Sequence, residues 1–167
     1  NGLNGTINTG DGNDTIAGYS FVAITPGYSG NECILNFGTI NTGDGNDTIK
    51  GGDIFNEFGT IITGNGHDRI KSTSQGITNS SKIDTGTGND TITGQGGISN
   101  FGTIITGNDH DRIKGTSSGD YSRGIYNDGT INTGDGNDTI TGTSSDGIYN
   151  GLNGTINTGD GNDTIAG

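Results

Sequence analysis

The segment Thr42-Gly43-Asp44-Gly45-Asn46-Asp47-Thr48-Ile49 decides how this chain folds, because it recurs. The same eight residues stand at 9–16, 133–140 and 158–165. Variants at 63–70 (TGNGHDRI), 85–92 (TGTGNDTI) and 106–113 (TGNDHDRI) bring the total to seven copies. The first glycines fall at Gly10, Gly43, Gly64, Gly86, Gly107, Gly134 and Gly159, spaced by 33, 21, 22, 21, 27 and 25 residues. Self-similarity with a period of about 20 to 50 residues marks a solenoid, in which each repeat is one coil. The spacing of 33 fits a coil carrying an inserted loop.

A second block, roughly I-x-N-x-G-T-I, lies between the copies at 34–40, 54–61, 98–104, 125–131 and 148–156, with a degenerate version at 77–83. Each coil therefore holds three short strand candidates, centred on I-x-N, T-I-x-T and D-T-I-x. Side chains alternate faces along a strand, so if Ile7 points inward, Thr9 does too. Stacking the coils builds three isoleucine columns. One is Ile7, Ile40, Ile61, Ile83, Ile104, Ile131 and Ile156; a second is Ile16, Ile49, Ile70, Ile92, Ile113, Ile140 and Ile165; the third is Ile34, Ile54, Ile77, Ile98, Ile125 and Ile148. One coil cannot bury these residues alone; its neighbours above and below must. The expected fold is an all-β, right-handed parallel β-solenoid of the β-helix or β-roll type, continuous over residues 1–167.

Composition agrees once the repeat is seen. Only 25% of residues are hydrophobic and the net charge is −12, which in a non-repeating chain would signal disorder. Here the apolar residues are mostly β-branched isoleucine at fixed places, and 36 glycines supply the corners. A sequence pI near 4.1 argues against nucleic acid and anionic membrane surfaces as partners and makes cations the natural counterpart. No apolar run is long enough to cross a bilayer, and the single Cys33 allows no internal disulfide. Residues 1–18 are identical to 150–167, which implies a larger unit of 149 residues with about six coils, the chain being a window on a tandem array. At about 4.8 Å per coil, such a unit would advance roughly 29 Å.

The last aspartate of the motif is present in every copy: Asp14, Asp47, Asp68, Asp90, Asp111, Asp138 and Asp163. Unit charges repeating at about 4.8 Å repel by roughly 1 kcal/mol in water and about 3 kcal/mol at a protein-surface dielectric. A second acid stands three residues earlier at Asp11, Asp44, Asp135 and Asp160. Carboxylates and turn carbonyls are hard oxygen ligands suited to Ca²⁺. The competing expectation is a metal-free turn whose Asp and Asn side chains accept backbone N–H groups. A similar choice stands at Asn36, Asn56, Asn79, Asn100, Asn127 and Asn150, which either form an amide ladder or tolerate a left-handed turn.

With Gly10, Gly12, Asp14 and Ile16 at its second, fourth, sixth and eighth positions, the motif resembles the nonapeptide repeat of RTX (hemolysin-type) calcium-binding proteins. That resemblance implies a β-roll with Ca²⁺ held between successive turns by the aspartates and main-chain carbonyls. The chain departs from that pattern: Thr9 and its equivalents replace the first glycine, each coil has one such turn, and Asn65, Thr87 and Asn108 replace the earlier acid in three copies. The sixth, seventh and second turns are then the strongest candidates. In the third and fifth, Arg69 with Lys71 and Arg112 with Lys114 are expected to do part of the neutralising by ion pairing.

The remaining signals are weaker. His67 and His110 alternate with Asn at one motif position and read as surface turn residues. The outward pairs after the ladder aspartates include Thr91–Thr93 and Thr139–Thr141, but Arg69–Lys71 and Arg112–Lys114 interrupt the array, which argues against ice binding. The insertion from Tyr19 to Glu32, with Phe21, Pro26 and Tyr28, reads either as a loop packed on the flank or as a lateral contact, and Phe37, Phe58 and Phe101 as an outer aromatic strip. Catalysis is not expected, because the acids are the repeat itself and no nucleophile–base set appears. The chain reads as a Ca²⁺-rigidified structural repeat of an extracellular or cell-surface bacterial filament, matrix or surface-layer protein, partnered with itself by head-to-tail stacking or lateral bundling. The alternative is a stalk or spacer of an RTX-type adhesin or exoprotein.

Overall fold

The computed structural model describes residues 1–2, 4–18, 33–120 and 122–167. Every described element is a strand, and all strands pair in parallel to form a β-solenoid of about six turns. The T-I-x strands stack into one seven-stranded sheet: Thr6–Asn8, Thr39–Asn41, Thr60–Ile62, Lys82–Asp84, Thr103–Ile105, Thr130–Asn132 and Thr155–Asn157. The D-T-I and I-x-N strands form a second, eleven-stranded sheet that wraps the rest of the coil.

Register follows the isoleucines. Ile7 pairs with Ile40, Ile40 with Ile61, and so on to Ile156. The column from Ile16 to Ile165 pairs in the same way, as does that from Ile34 to Ile148. Interior members such as Ile49, Ile61, Ile83 and Ile104 are fully enclosed. At the two ends Ile7 and Ile165 are 36% and 54% exposed, because one neighbouring coil is missing from each.

The interior is only half apolar. Besides its three isoleucines, an interior coil buries a threonine, an aspartate and an asparagine, as in Thr63, Asp68 and Asn79. The asparagines form the amide ladder. Each side-chain N–H donates to the Oδ1 of the next asparagine, from Asn36 through Asn56, Asn79, Asn100 and Asn127 to Asn150, at 2.7–2.8 Å. A second bond from the same amide reaches a backbone carbonyl of the adjacent coil, for example Asn79 to Thr103 at 3.0 Å. An amide carries both donors and acceptors, so a column of them satisfies itself under translation.

In two coils the three expected strands become two. Thr48–Asn56 and Arg69–Asn79 run through the corner without a break. Buried polar groups hold the connection there. Ser72 Oγ donates to the Gly52 carbonyl and accepts the Gly76 N–H, while Asp53 Oδ1 accepts the Gln75 N–H. The insertion at 19–32 lies outside the described residues. The expected aromatic strip is split, because Ser80 stands between its halves: Phe37 stacks on Phe58 at 6.1 Å, whereas Phe101 joins Tyr126 and Tyr149.

Candidate functional site

The T-G-D-G-N-D turn forms the corner between the two sheets, and its geometry needs glycine. Gly43 and Gly45 sit at φ +88° and +146°, and a Cβ on either would collide with the carbonyl oxygen of Gly10 or Gly12 one coil away. Those turn carbonyls therefore point along the stack. The fifth copy has Asp109 in place of the second glycine, and Asp109 is forced to φ +86°.

Two residues after the turn glycine, the ladder aspartates fold inward. Asp47, Asp68, Asp90, Asp111 and Asp138 are 1–2% exposed. Each backbone N–H of this column donates to the Oδ1 of the next aspartate, from Asp14 to Asp47 and onward to Asp163, in six bonds of 2.7–2.9 Å. The acceptor expected for a metal-free turn is therefore used, but across coils and not within one. The other oxygen has no such partner. The Oδ2 atoms of Asp14, Asp47, Asp68, Asp90, Asp111 and Asp138 are buried and accept no hydrogen bond.

A buried carboxylate oxygen without a donor is unfavourable while charged. Desolvation accordingly pushes the pKa of Asp90 and of Asp111 up from 3.8 to about 7, and raises that of Asp68. The hydroxyls of Thr63, Thr85 and Thr106 pull the other way, but they do not reach Oδ2 with hydrogen-bond geometry. Thr63 and Thr85 instead donate to the threonine carbonyl of the next coil, Thr85 and Thr106, at 3.2 and 3.4 Å.

The earlier acids occupy a different surface. Asp11, Asp44, Asp135 and Asp160 are exposed on the outside of the turn, and Asp135 Oδ1 accepts the Asp160 N–H at 3.3 Å. Beside them runs a ladder that the sequence reading did not foresee. The N–H of Asn46 donates to Asn13 Oδ1, that of His67 to Asn46 Oδ1, and that of Asn89 to His67 Nδ1. It continues through His110 and Asn137 to Asn162. His67 and His110 are thus exposed turn residues, as expected, but each also replaces asparagine as a side-chain acceptor.

The chain matches no family model, no curated protein and no solved structure.

Whether the turn suits a calcium ion depends on its donors. All are oxygen, the buried Oδ2 atoms are unsatisfied, and the turn carbonyls lie along the same stack, which is the chemistry a hard cation requires. Among the described residues, however, no three His, Cys, Asp or Glu side chains converge. The two acids of one turn are divided between interior and surface. The donors a cation would find are therefore the free Oδ2 atoms of neighbouring ladder carboxylates, and not a cage of acids.

The ion pairing expected in the third and fifth turns is absent. Arg69, Lys71, Arg112 and Lys114 alternate with inward isoleucines and emerge on the outer face, opposite to Asp68 and Asp111. Among the described residues the salt bridges are Lys82–Asp84 at 2.9 Å and Arg123–Asp146 at 4.0 Å.

Proposed function

We propose that this chain is a structural repeat of an extracellular filament, matrix or surface-layer protein of a bacterium, rigidified by Ca²⁺ at its stacked aspartate turns. The observation that carries this reading is the line of buried, unpartnered Oδ2 atoms running the length of a solenoid in unbroken register. A divalent cation would offset the charge of neighbouring carboxylates and tie adjacent coils together. Asp14, Asp47, Asp138 and Asp163 would hold it, with Asp11, Asp44, Asp135 and Asp160 raising the local cation concentration at the same turns. Asp68, Asp90 and Asp111 belong to the same column but lack the outer acid. No catalysis is assigned, since the acids are the repeating structure itself.

The resemblance of the turn to RTX repeats favours a second role for the same rod, a stalk or spacer in an adhesin or exoprotein. Calorimetric titration with Ca²⁺, paired with melting in Ca²⁺ and in EDTA, tests the metal. Absence of both heat and a shift in melting removes calcium from the account. Negative-stain microscopy of the native material separates the two roles: continuous or laterally bundled rods support the filament, and a rod ending in a globular head supports the stalk.

A further inference from the structure

Five of the seven lysines and arginines lie on one face of an acidic protein. Lys50, Arg69, Lys71, Arg112 and Lys114 occupy the outward positions of the D-T-I strands in the second, third and fifth turns. Registered pairing arranges them in two columns along the solenoid axis. In one, Arg69 and Arg112 flank Thr91; in the other, Lys71 follows Lys50 directly and Thr93 separates it from Lys114. The columns are about 6.6 Å apart, and members two coils apart are separated by about 9.6 Å. None of the outward positions of these strands, from Thr15 to Ala166, carries an acid. Among the described residues the five cations make no ion pair.

The fold does not require them. At the same register positions other coils carry Thr15, Thr48, Thr139, Ala17 or Thr141. Lys50 and Lys71 are direct cross-strand neighbours, and like charges in that relation destabilise a sheet. A protein that places its few cations side by side, away from its many acids, presents a surface for a negative partner.

We infer that this face binds a linear anionic polysaccharide laid along the solenoid axis. The partner is extended, because the cations line up along the axis over four turns on a flat sheet. It is hydroxyl-rich as well as anionic, because threonines interleave with the cations as Thr48, Arg69, Thr91, Arg112 in one column and as Lys50, Lys71, Thr93, Lys114 in the other. Nucleic acid fits less well: among the described residues the outward positions of the D-T-I segments carry no aromatic side chain for base stacking, and no element is shaped to enter a groove. A second copy is the other acidic candidate, since Asp11, Asp44, Asp109, Asp135 and Asp160 are exposed at the turns, and sedimentation separates it from a polysaccharide in the test below.

The test is direct binding of the whole chain to heparin and to hyaluronate, with dextran as the uncharged control, all in EDTA so that no calcium bridge to the acidic turns contributes. The comparison protein is R69T/K71T/R112T/K114T, whose threonines copy the neighbouring coils and whose folding circular dichroism checks. Support consists of binding to at least one polyanion and none to dextran, weakening as salt rises, and reduced about tenfold or more in the variant. Equal binding by the variant overturns the proposal, as does no binding by the parent. Tighter binding to duplex DNA than to either polysaccharide overturns it, and so does a sedimentation experiment in which the variant loses self-association instead. Because calcium is excluded, the result stands apart from that of the calcium titration.

Discussion

Asp90→Asn is the substitution that most directly tests how the aspartate column is satisfied. The Asn side chain retains the Oδ1 that accepts the Asp68 N–H at 2.8 Å, and the Asp90 N–H still reaches Asp111 Oδ1. Only the orphaned Oδ2 changes, becoming an NH₂ that faces the acceptors of Thr85 and of the neighbouring carboxylates. Burial pushes the Asp90 pKa from 3.8 to about 7. A folded-state value above the unfolded one means a stabilising contribution that is present below about pH 4 and lost as pH rises through 7. With about 3 pH units between the two states at 1.36 kcal/mol each, the ionised Asp90 carboxylate costs about 4 kcal/mol at pH 8. In EDTA, Asp90→Asn should therefore raise the urea midpoint at pH 8 by the equivalent of a few kcal/mol. At pH 4.5 the gain should shrink below about 1 kcal/mol. Equal destabilisation by the variant at both pH values in EDTA would refute the reasoning, since the carboxylate charge would then be stabilised by something inside the coil.

Further outcomes follow from other columns. Asn79→Ala removes both ladder bonds to Asn56 and Asn100, leaving a buried amide half-paired; a loss of about 2–3 kcal/mol is expected in denaturant unfolding. Ile83→Ala, at a fully enclosed central position, should cost about 3 kcal/mol, and Ile83→Val about 1 kcal/mol. Asp109→Gly relieves a left-handed side-chain conformation and should stabilise by about 0.5–1 kcal/mol, visible as a higher melting midpoint. His67→Asn should be neutral because it restores the acceptor of the other coils. His67→Leu should loosen the Asn89 N–H, read as faster hydrogen exchange at that amide.

Much of this architecture is legible in the sequence because isoleucine recurs at fixed offsets in every coil. That is why all three columns can be written down residue by residue. Pairing in β-structure follows such marks, since a slip of one residue would turn every isoleucine to solvent. The line of aspartates is equally legible, but the depth at which it lies was not drawn from the sequence. Asp14 stands two residues before inward Ile16, so alternation alone turns it inward. The ion pairs assigned to Arg69 and Arg112 failed for the same reason: one residue along a strand is the opposite face. The merging of strands at Gly51 and Gly52 depends on how a short corner is stapled by Ser72 and Asp53, which no periodicity encodes. The His67 acceptor could have been found from its equivalence to Asn89, since both side chains offer a lone pair at similar reach.

The interior of this solenoid works under a rule that compact domains lack. A residue can fill it if it satisfies itself when translated by about 4.8 Å. Isoleucine does so by packing on isoleucine. Asparagine does so by giving an N–H to the next coil and accepting one from the last, as Asn56 does between Asn36 and Asn79. Threonine comes close, donating to the next threonine's carbonyl, as Thr63 does to Thr85. Aspartate does not. It has acceptors only, one of which a backbone amide uses, and the remainder accumulates as a row of buried charge. Asparagine at the same place would keep the bond from the backbone N–H and remove the charge, and the chain already uses asparagine in that way on the outside of the turn, where Asn13 Oδ1 accepts the Asn46 N–H. Aspartate nevertheless stands in all seven copies of the motif. Folding alone would favour the neutral residue; on the reading proposed above, what the acid requires is positive charge supplied from outside the chain. A divalent cation taking up the second oxygen meets that requirement at neutral pH, where a proton holds it only in part.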